Sequence, residues 1–132
     1  MKLEYINPDS MAPGMGYSHA IAVSGPHKTL YIGGQNAIDP AGNVKGDNLK
    51  EQSEQVLENI EKILHSAGGD MKNLVKMTIL LLQGQDPREG FAAFQQKWKQ
   101  GDPFPLVTVA FVSGLGRPGC LVEIEGIALI AE

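Results

Sequence analysis

Apolar residues recur along this chain in two rhythms. Between Asn48 and Gly69 they return at helical spacing, as Leu49, Val56, Ile60, Ile63 and Ala67, with Leu57 and Leu64 widening the stripe. Asn48 followed three residues on by Glu51 has capping-box spacing, and Gly68-Gly69 supplies a left-handed stop. A second helix is predicted to open at Asp86-Pro87-Arg88-Glu89, with proline in its first turn, and to end at Gly101. Its stripe is Phe91, Phe94 and Trp98, which reads as core. The other apolar runs are short, and glycine and proline punctuate them: Leu3 to Ile6, Tyr17 to Val23, Thr29 to Gln35, Leu74 to Leu82, Leu106 to Val112 and Leu121 to Ala131. Ser24-Gly25-Pro26-His27-Lys28 predicts a hairpin between the second and third runs, and a glycine-rich turn joins the last two.

The order β-β-β-α-β-α-β-β describes an α+β two-layer sandwich, a mostly antiparallel six-stranded sheet with two helices on one face. The Leu74 strand is apolar on both sides, with Val75, Met77, Ile79 and Leu81 on one and Leu74, Thr78, Leu80 and Leu82 on the other. Two helices cover one face, and no third helix exists for the second. The pattern therefore predicts a homo-oligomer of closed cyclic symmetry that buries sheet against sheet.

Composition narrows the class. The 132 residues suit one domain, 1–132, long enough to build a core without a metal or disulfide staple. With 42% apolar and 20% charged residues the chain is no disordered segment. A net charge of −4 and no cluster of Lys or Arg exclude nucleic-acid binding by phosphate neutralisation. Cys120 is the one cysteine, no Cys/His spacing indicates zinc, and its surroundings favour packing. Met1 to Ser10 lacks the apolar run of a signal peptide, and the longest apolar stretches are about half a membrane span. A soluble cytoplasmic protein is expected.

Gly114-Leu115-Gly116-Arg117-Pro118-Gly119 matches the dinucleotide fingerprint literally, but a β-rich segment follows where the phosphates would need a helix N-terminus, so it reads as a hairpin turn. Glu123 and Glu125 share one face of the last strand amid Leu121, Val122, Ile124 and Ile127. Two readings stay open for them, a proton carrier made more basic by burial and a pair of salt bridges across an oligomer interface. His19 reads as a satisfied structural histidine, His27 as a turn residue and His65 as a helix-end residue. Gly33-Gly34 inside a strand marks a place where a ligand or a neighbouring subunit lies against the main chain.

Together these segments resemble the RidA/YjgF family of small reactive-intermediate deaminases. The resemblance is carried by Gly16-Tyr17-Ser18-His19-Ala20, Tyr31-Ile32-Gly33-Gly34-Gln35, Asp39-Pro40-Ala41-Gly42-Asn43, Gln52 with Leu57-Glu58-Asn59-Ile60, Ala67-Gly68-Gly69, and the run from Arg117 to Ala128. It implies a fold like that of the trimeric chorismate mutases, three sheets meeting at a threefold axis, with ligand sites in clefts between subunits. It also implies hydrolysis of 2-imino acids or their enamine tautomers to 2-keto acids and ammonia, without metal or organic cofactor. Matched one at a time, the family's cleft tyrosine falls on Tyr17, its strand glycine on Gly34, its catalytic carboxylate on Glu123 and its helix asparagine near Gln95. The family's arginine falls on Val107, in Pro105-Leu106-Val107, and its cleft cysteine on Val109.

That departure matters, because a guanidinium clamps a carboxylate with two hydrogen bonds and valine offers none. Such a contact contributes about 1.5–3 kcal/mol, roughly tenfold to a hundredfold in binding. Of the two arginines, Arg117 stands roughly 25 Å or more along an extended chain from Val107, and Arg88 opens a helix. The expectation is a homotrimer whose cleft takes a small, relatively apolar imine, enamine or related molecule, with Glu123 positioning water and Tyr17, Gly34, Gln95, Val107 and Val109 around the ligand. The alternative is a trimer that binds a ligand or a partner without turnover.

Overall fold

In the computed structural model, which describes residues 1–99 and 101–132, the described residues form six strands and two α-helices. Helix α1, Leu49–Ser66, begins where Asn48 accepts a hydrogen bond from the Glu51 amide at 2.9 Å. Glu51 reaches back to the Asp47 amide at 2.7 Å, so charge and cap act together on the orphan amides of the first turn. At the other end Gly68, at φ +87°, turns the chain so that the Gly69 amide bonds the Leu64 carbonyl, while Lys28 Nζ takes the Ala67 carbonyl. Helix α2, Pro87–Gln95, starts on an Asp86 cap and ends well before the expected Gly101. Trp98 still joins the core by stacking on Phe94, their ring centroids 4.2 Å apart.

Strands β3 (His27–Gln35), β6 (Val122–Ala131), β4 (Leu74–Leu82) and β5 (Leu106–Val112) form one sheet in the order β3-β6-β4-β5. The β3–β6 and β6–β4 pairs are antiparallel; β4 and β5 run parallel, as a crossover through α2 allows. The α+β two-layer plan is as the pattern predicts. The single six-stranded sheet is not: β1 (Lys2–Ile6) and β2 (Ala20–Ser24) form a separate two-stranded ribbon. The hairpin expected between β2 and β3 does not form: β2 is paired with β1, and β3 with the C-terminal strand. The segment 114–119 is a turn, closed by the Cys120 amide on the Arg117 carbonyl, but it crosses β4 rather than making a hairpin. No helix follows it, so nothing there can cradle a pyrophosphate.

Both helices lie on one face of the sheet. Register pairs Met77 with Gly126, Ile79 with Ile124 and Leu81 with Val122, and these side chains join Leu49, Leu57, Ile60 and Leu64 of α1 in the core. On the other face Leu80 pairs with Glu123 and Thr78 with Glu125. That face is more mixed than the sequence pattern suggests: Leu80, Leu82 and Ile127 are half-buried, Lys76, Thr108 and Glu125 are exposed, and Tyr31 is 78% exposed.

Two side-chain amides, Gln52 buried and Asn59 half-buried, tie α1 to the segments that lead into and out of the sheet. Gln52 donates to the Gly46 and Gly119 carbonyls and accepts from the Leu121 amide at 2.8 Å. Asn59 donates to the Ile38 carbonyl at 2.9 Å, and Asn36 to the Val122 carbonyl. The start of β6 is thus fixed from both sides. Replacing Gln52 with alanine removes the partner of three backbone groups, those of Gly46 and Leu121 half-buried and that of Gly119 exposed, and we expect a loss of about 1–2 kcal/mol, read as a lower urea midpoint with unchanged slope at fixed protein concentration.

Candidate functional site

The loop before β2 forms one wall of a cavity. Tyr17 is not in a strand as expected, because Gly16 turns the chain at φ +82° and Ser18 ties the loop to the lead-in of β5. The Ser18 amide bonds the Pro105 carbonyl at 3.0 Å, and its hydroxyl the Phe104 carbonyl at 2.6 Å. His19 pairs through Nε2 with the Ala12 carbonyl at 2.7 Å and packs edge-on to Tyr17. It is a structural histidine. A side chain at Gly16 would stand 2.9 Å from the Phe91 ring, so glycine is required both by conformation and by the close approach of α2.

Behind Tyr17 lies a cavity of about 430 Å³, walled by both helices and by β4, β5 and β6. Val107 and Val109 line it from β5, Ile79 from β4, and Phe91 and Phe94 from α2. No lining side chain carries a charge. Two residues the sequence pattern did not single out, Ser53 and Gly90, also line it. Ser53 occupies an inward position on α1, four residues after Leu49 and four before Leu57, where a polar residue in an apolar stripe was the available signal. Gly90 lies within α2 without a positive φ, where glycine costs about 1 kcal/mol against alanine.

Glu123 and Gly34 meet on the opposite face of the sheet. The β3–β6 register shifts between Ile32 and Gln35, and Gly33-Gly34 sits in that irregularity. A Cβ at position 34 would stand 2.7 Å from Glu123 Oε2, whereas one at position 33 would meet nothing within 4 Å. What lies against the main chain at Gly34 is therefore this chain's own carboxylate. Glu123 is half-buried and makes no ion pair among the described residues. Glu125 lies on the same face, exposed, opposite Thr78.

The remaining candidates fall elsewhere. Gln95 lines a second hollow with Trp98, Lys99 and Phe104, which shares Gly16, Phe91 and Phe94 with the first cavity but not Val107 or Val109. Arg88 forks onto Asp86 at 2.7 Å, and that contact holds the Asp86 carboxyl below the ordinary carboxylate range. Arg117 donates to the Gly42 carbonyl at 2.6 Å, bracing the 39–43 turn. Neither arginine lines the cavity. Burial pushes the Cys120 thiol up, against a weaker opposing pull from Arg117, so it stays protonated at neutral pH. No group of three His, Cys, Asp or Glu among the described residues could hold a metal ion, and no helix is long and apolar enough to cross a membrane.

Comparison with known proteins agrees with this fold. The family model described as Endoribonuclease L-PSP matches residues 8–130. A 2-iminobutanoate/2-iminopropanoate deaminase from Capra hircus is 39% identical over 116 residues, 86% of this chain and 79% of that protein. The human protein of the same name is 33% identical over 123 residues, covering 92% and 83%. A Rid-family protein of unknown function from Yersinia pestis superposes with a TM-score of 0.85 at 30% identity, covering 98% of this chain and 100% of that one. RidA from a Psychrobacter species gives 0.71 at 32% identity, covering 96% and 99%. The chain belongs to the RidA/YjgF family, whose family model carries the Endoribonuclease L-PSP description.

The close approach at Gly34 is testable. Gly34→Ala should swing the Glu123 carboxylate off β3, seen as a displaced side chain in a crystal structure of the variant, while Gly33→Ala leaves it in place. Because the blocked group is the end of a flexible side chain, both variants should keep their stability within about 1 kcal/mol of the parent.

Proposed function

We propose that the whole chain folds as one domain, assembles as a cytoplasmic homotrimer, and hydrolyses a small neutral imine or enamine in clefts between its subunits. The observation that carries this reading is the separation of the candidate residues. Glu123 and Gly34 lie together on the helix-free face, while Tyr17, Val107 and Val109 line an uncharged cavity beneath the helices. One chain cannot bring the two sets around one small molecule, because they flank a sheet; a neighbouring copy that sets the mouth of its cavity, beside the edge strand β5, against this face can. The half-buried Leu80, Leu82 and Ile127 on that face supply apolar area for such packing. Gln95, across α2, takes a peripheral place at most.

In this scheme Glu123 accepts a proton from a water as its oxygen attacks the C=N carbon. Glu123 returns that proton to nitrogen to give an amino alcohol, which collapses as its hydroxyl proton passes to nitrogen, and a ketone or aldehyde and ammonia leave. An enamine takes the same route after tautomerising. Tyr17 and the Gly34 backbone orient the ligand, and no organic cofactor or metal takes part. The relatives named as 2-iminobutanoate/2-iminopropanoate deaminases support imine chemistry. The substrate class here differs, because Val107 stands where the family resemblance expects the carboxylate-binding arginine, and Arg88 and Arg117 are engaged with Asp86 and Gly42. A second reading, binding without turnover by a ligand-carrying or interaction-type trimer, is favoured by that same absence of a cation.

An imine-decay assay separates the readings. Enzymatically generated 2-iminobutyrate should decay with little or no acceleration, whereas a neutral imine formed from benzylamine should decay in a saturable way that Glu123→Gln abolishes. Equal decay of the neutral imine with parent and variant would leave binding without turnover. Val107→Arg should tighten short 2-keto acids by roughly tenfold to a hundredfold in calorimetry; no change would refute the cleft position of residue 107.

A further inference from the structure

Ser53 lies in the second turn of α1 and is 3% exposed. A buried helical serine commonly bonds back to the carbonyl one turn earlier, as Ser66 does to Lys62 at 3.0 Å. Ser53 makes no such bond, and no side-chain hydrogen bond of its hydroxyl occurs among the described residues. Yet among those residues no fully enclosed side-chain polar atom lacks a partner, so the Ser53 hydroxyl is not sealed. It opens to the cavity that it lines. It is a buried donor aimed at an apolar space.

Directly across from it is Gly90. A Cβ there would stand 3.4 Å from Ser53 Oγ and 3.9 Å from Leu49, ordinary contacts that alanine would satisfy. Backbone conformation gives no reason for glycine either, since its φ is not positive. What the missing side chain leaves is about one methyl group's space beside the Ser53 hydroxyl, at the expense of helix propensity. Phe91 and Phe94 flank that space with near-parallel rings, their planes 19° apart.

We propose that this part of the cavity is a chamber for a neutral molecule bearing an apolar ring and one hydrogen-bond acceptor. Phe91, Phe94, Ile79 and Val107 wall the ring, Gly90 keeps the space before the Ser53 hydroxyl clear for the acceptor, and Ser53 donates to it. The size of the cavity, about 430 Å³, lies within the range of roughly 300–1,000 Å³ usual for small-molecule sites. A carboxylate is excluded, because every charged side chain is absent from the lining and an ion would be desolvated without a partner. The inference names the substrate class of the site proposed above and rests on that reading for turnover; binding in the chamber requires no hydrolysis. Ser53 and Gly90 are specificity-determining positions.

The test titrates the full-length protein with acetophenone, ethylbenzene and phenylacetate, followed by amide and methyl shifts in NMR spectra. Acetophenone should bind most tightly, with ethylbenzene about fivefold weaker for want of an acceptor and phenylacetate at least tenfold weaker. Ser53→Ala should bring acetophenone down to the level of ethylbenzene. Gly90→Val should weaken both neutral probes at least tenfold by filling the chamber. Should that variant not fold, Gly90→Ala serves, with a melting midpoint a few degrees higher and intermediate affinity. Phenylacetate binding as well as acetophenone, no shifts with any probe, or affinities indifferent to both positions would each overturn the proposal. Binding that persists where imine hydrolysis fails leaves the chamber standing and the hydrolytic reading fallen; hydrolysis of the neutral imine unaffected by Gly90→Val does the reverse.

Discussion

Successive side chains of β6 point to opposite faces of the sheet, and this alternation governs where chemistry can occur. Val122, Ile124 and Ala128 enter the helix-covered core, each apolar side chain contributing on the order of 1.5–3 kcal/mol by burial for the larger ones. Glu123 and Glu125, set between them, must then face away. A register slip of one residue would drive both carboxylates into the apolar layer, at several kcal/mol each. Gln52 on the Leu121 amide and Asn36 on the Val122 carbonyl hold the strand at the one register that avoids this. The carboxylate that carries the proposed chemistry is therefore positioned by the core, not by polar partners of its own.

The same alternation explains what could and could not be read from the sequence. Helix α1, its caps and the bounds of β4 and β5 were legible, because they rest on local periodicity and on turn chemistry such as Asn48, Glu51 and Gly68-Gly69. Strand partners were not. The pairing of β3 with β6 and of β1 with β2 depends on non-local contacts between segments of similar apolar character, so nearness in sequence suggested a β2–β3 hairpin that does not form. The end of α2 was misjudged because Trp98 continues the helical spacing in space, by stacking, after the helix itself has stopped at Gln95. Gly33-Gly34 reads from sequence as a place for a ligand or a neighbouring subunit, whereas the close approach is at Gly34 alone and comes from Glu123 of the same chain, a distant partner that local sequence does not reveal.

Tyr17, Gly34, Val107, Val109 and Glu123 were identified by resemblance to the family, and the structure divides them between two faces of one sheet. A sheet is a barrier that a small molecule does not bridge, so either the two groups serve different purposes or another copy of the chain completes each site. The mixed character of the helix-free face favours the second. Leu80, Leu82 and Ile127 give it apolar area, while Thr78, Thr108 and Glu125 give it polar groups that a symmetric interface can pair.

Charge then sets what such a site can hold. Asp86 and Gly42 occupy the two guanidinium groups, and the cavity wall nearest the sheet edge is valine at both Val107 and Val109. An anionic substrate entering there would exchange strong hydration for hydrocarbon, a loss its remaining contacts do not offset. A neutral one gains from the same wall, since its apolar surface is removed from water against Phe91, Phe94 and Ile79. On the proposed reading, in which residue 107 holds the clamp position, valine there does more than remove one contact. It turns the pocket toward neutral ligands, and glycine at position 90, which lowers the stability of α2 to leave space beside Ser53, acts in the same direction.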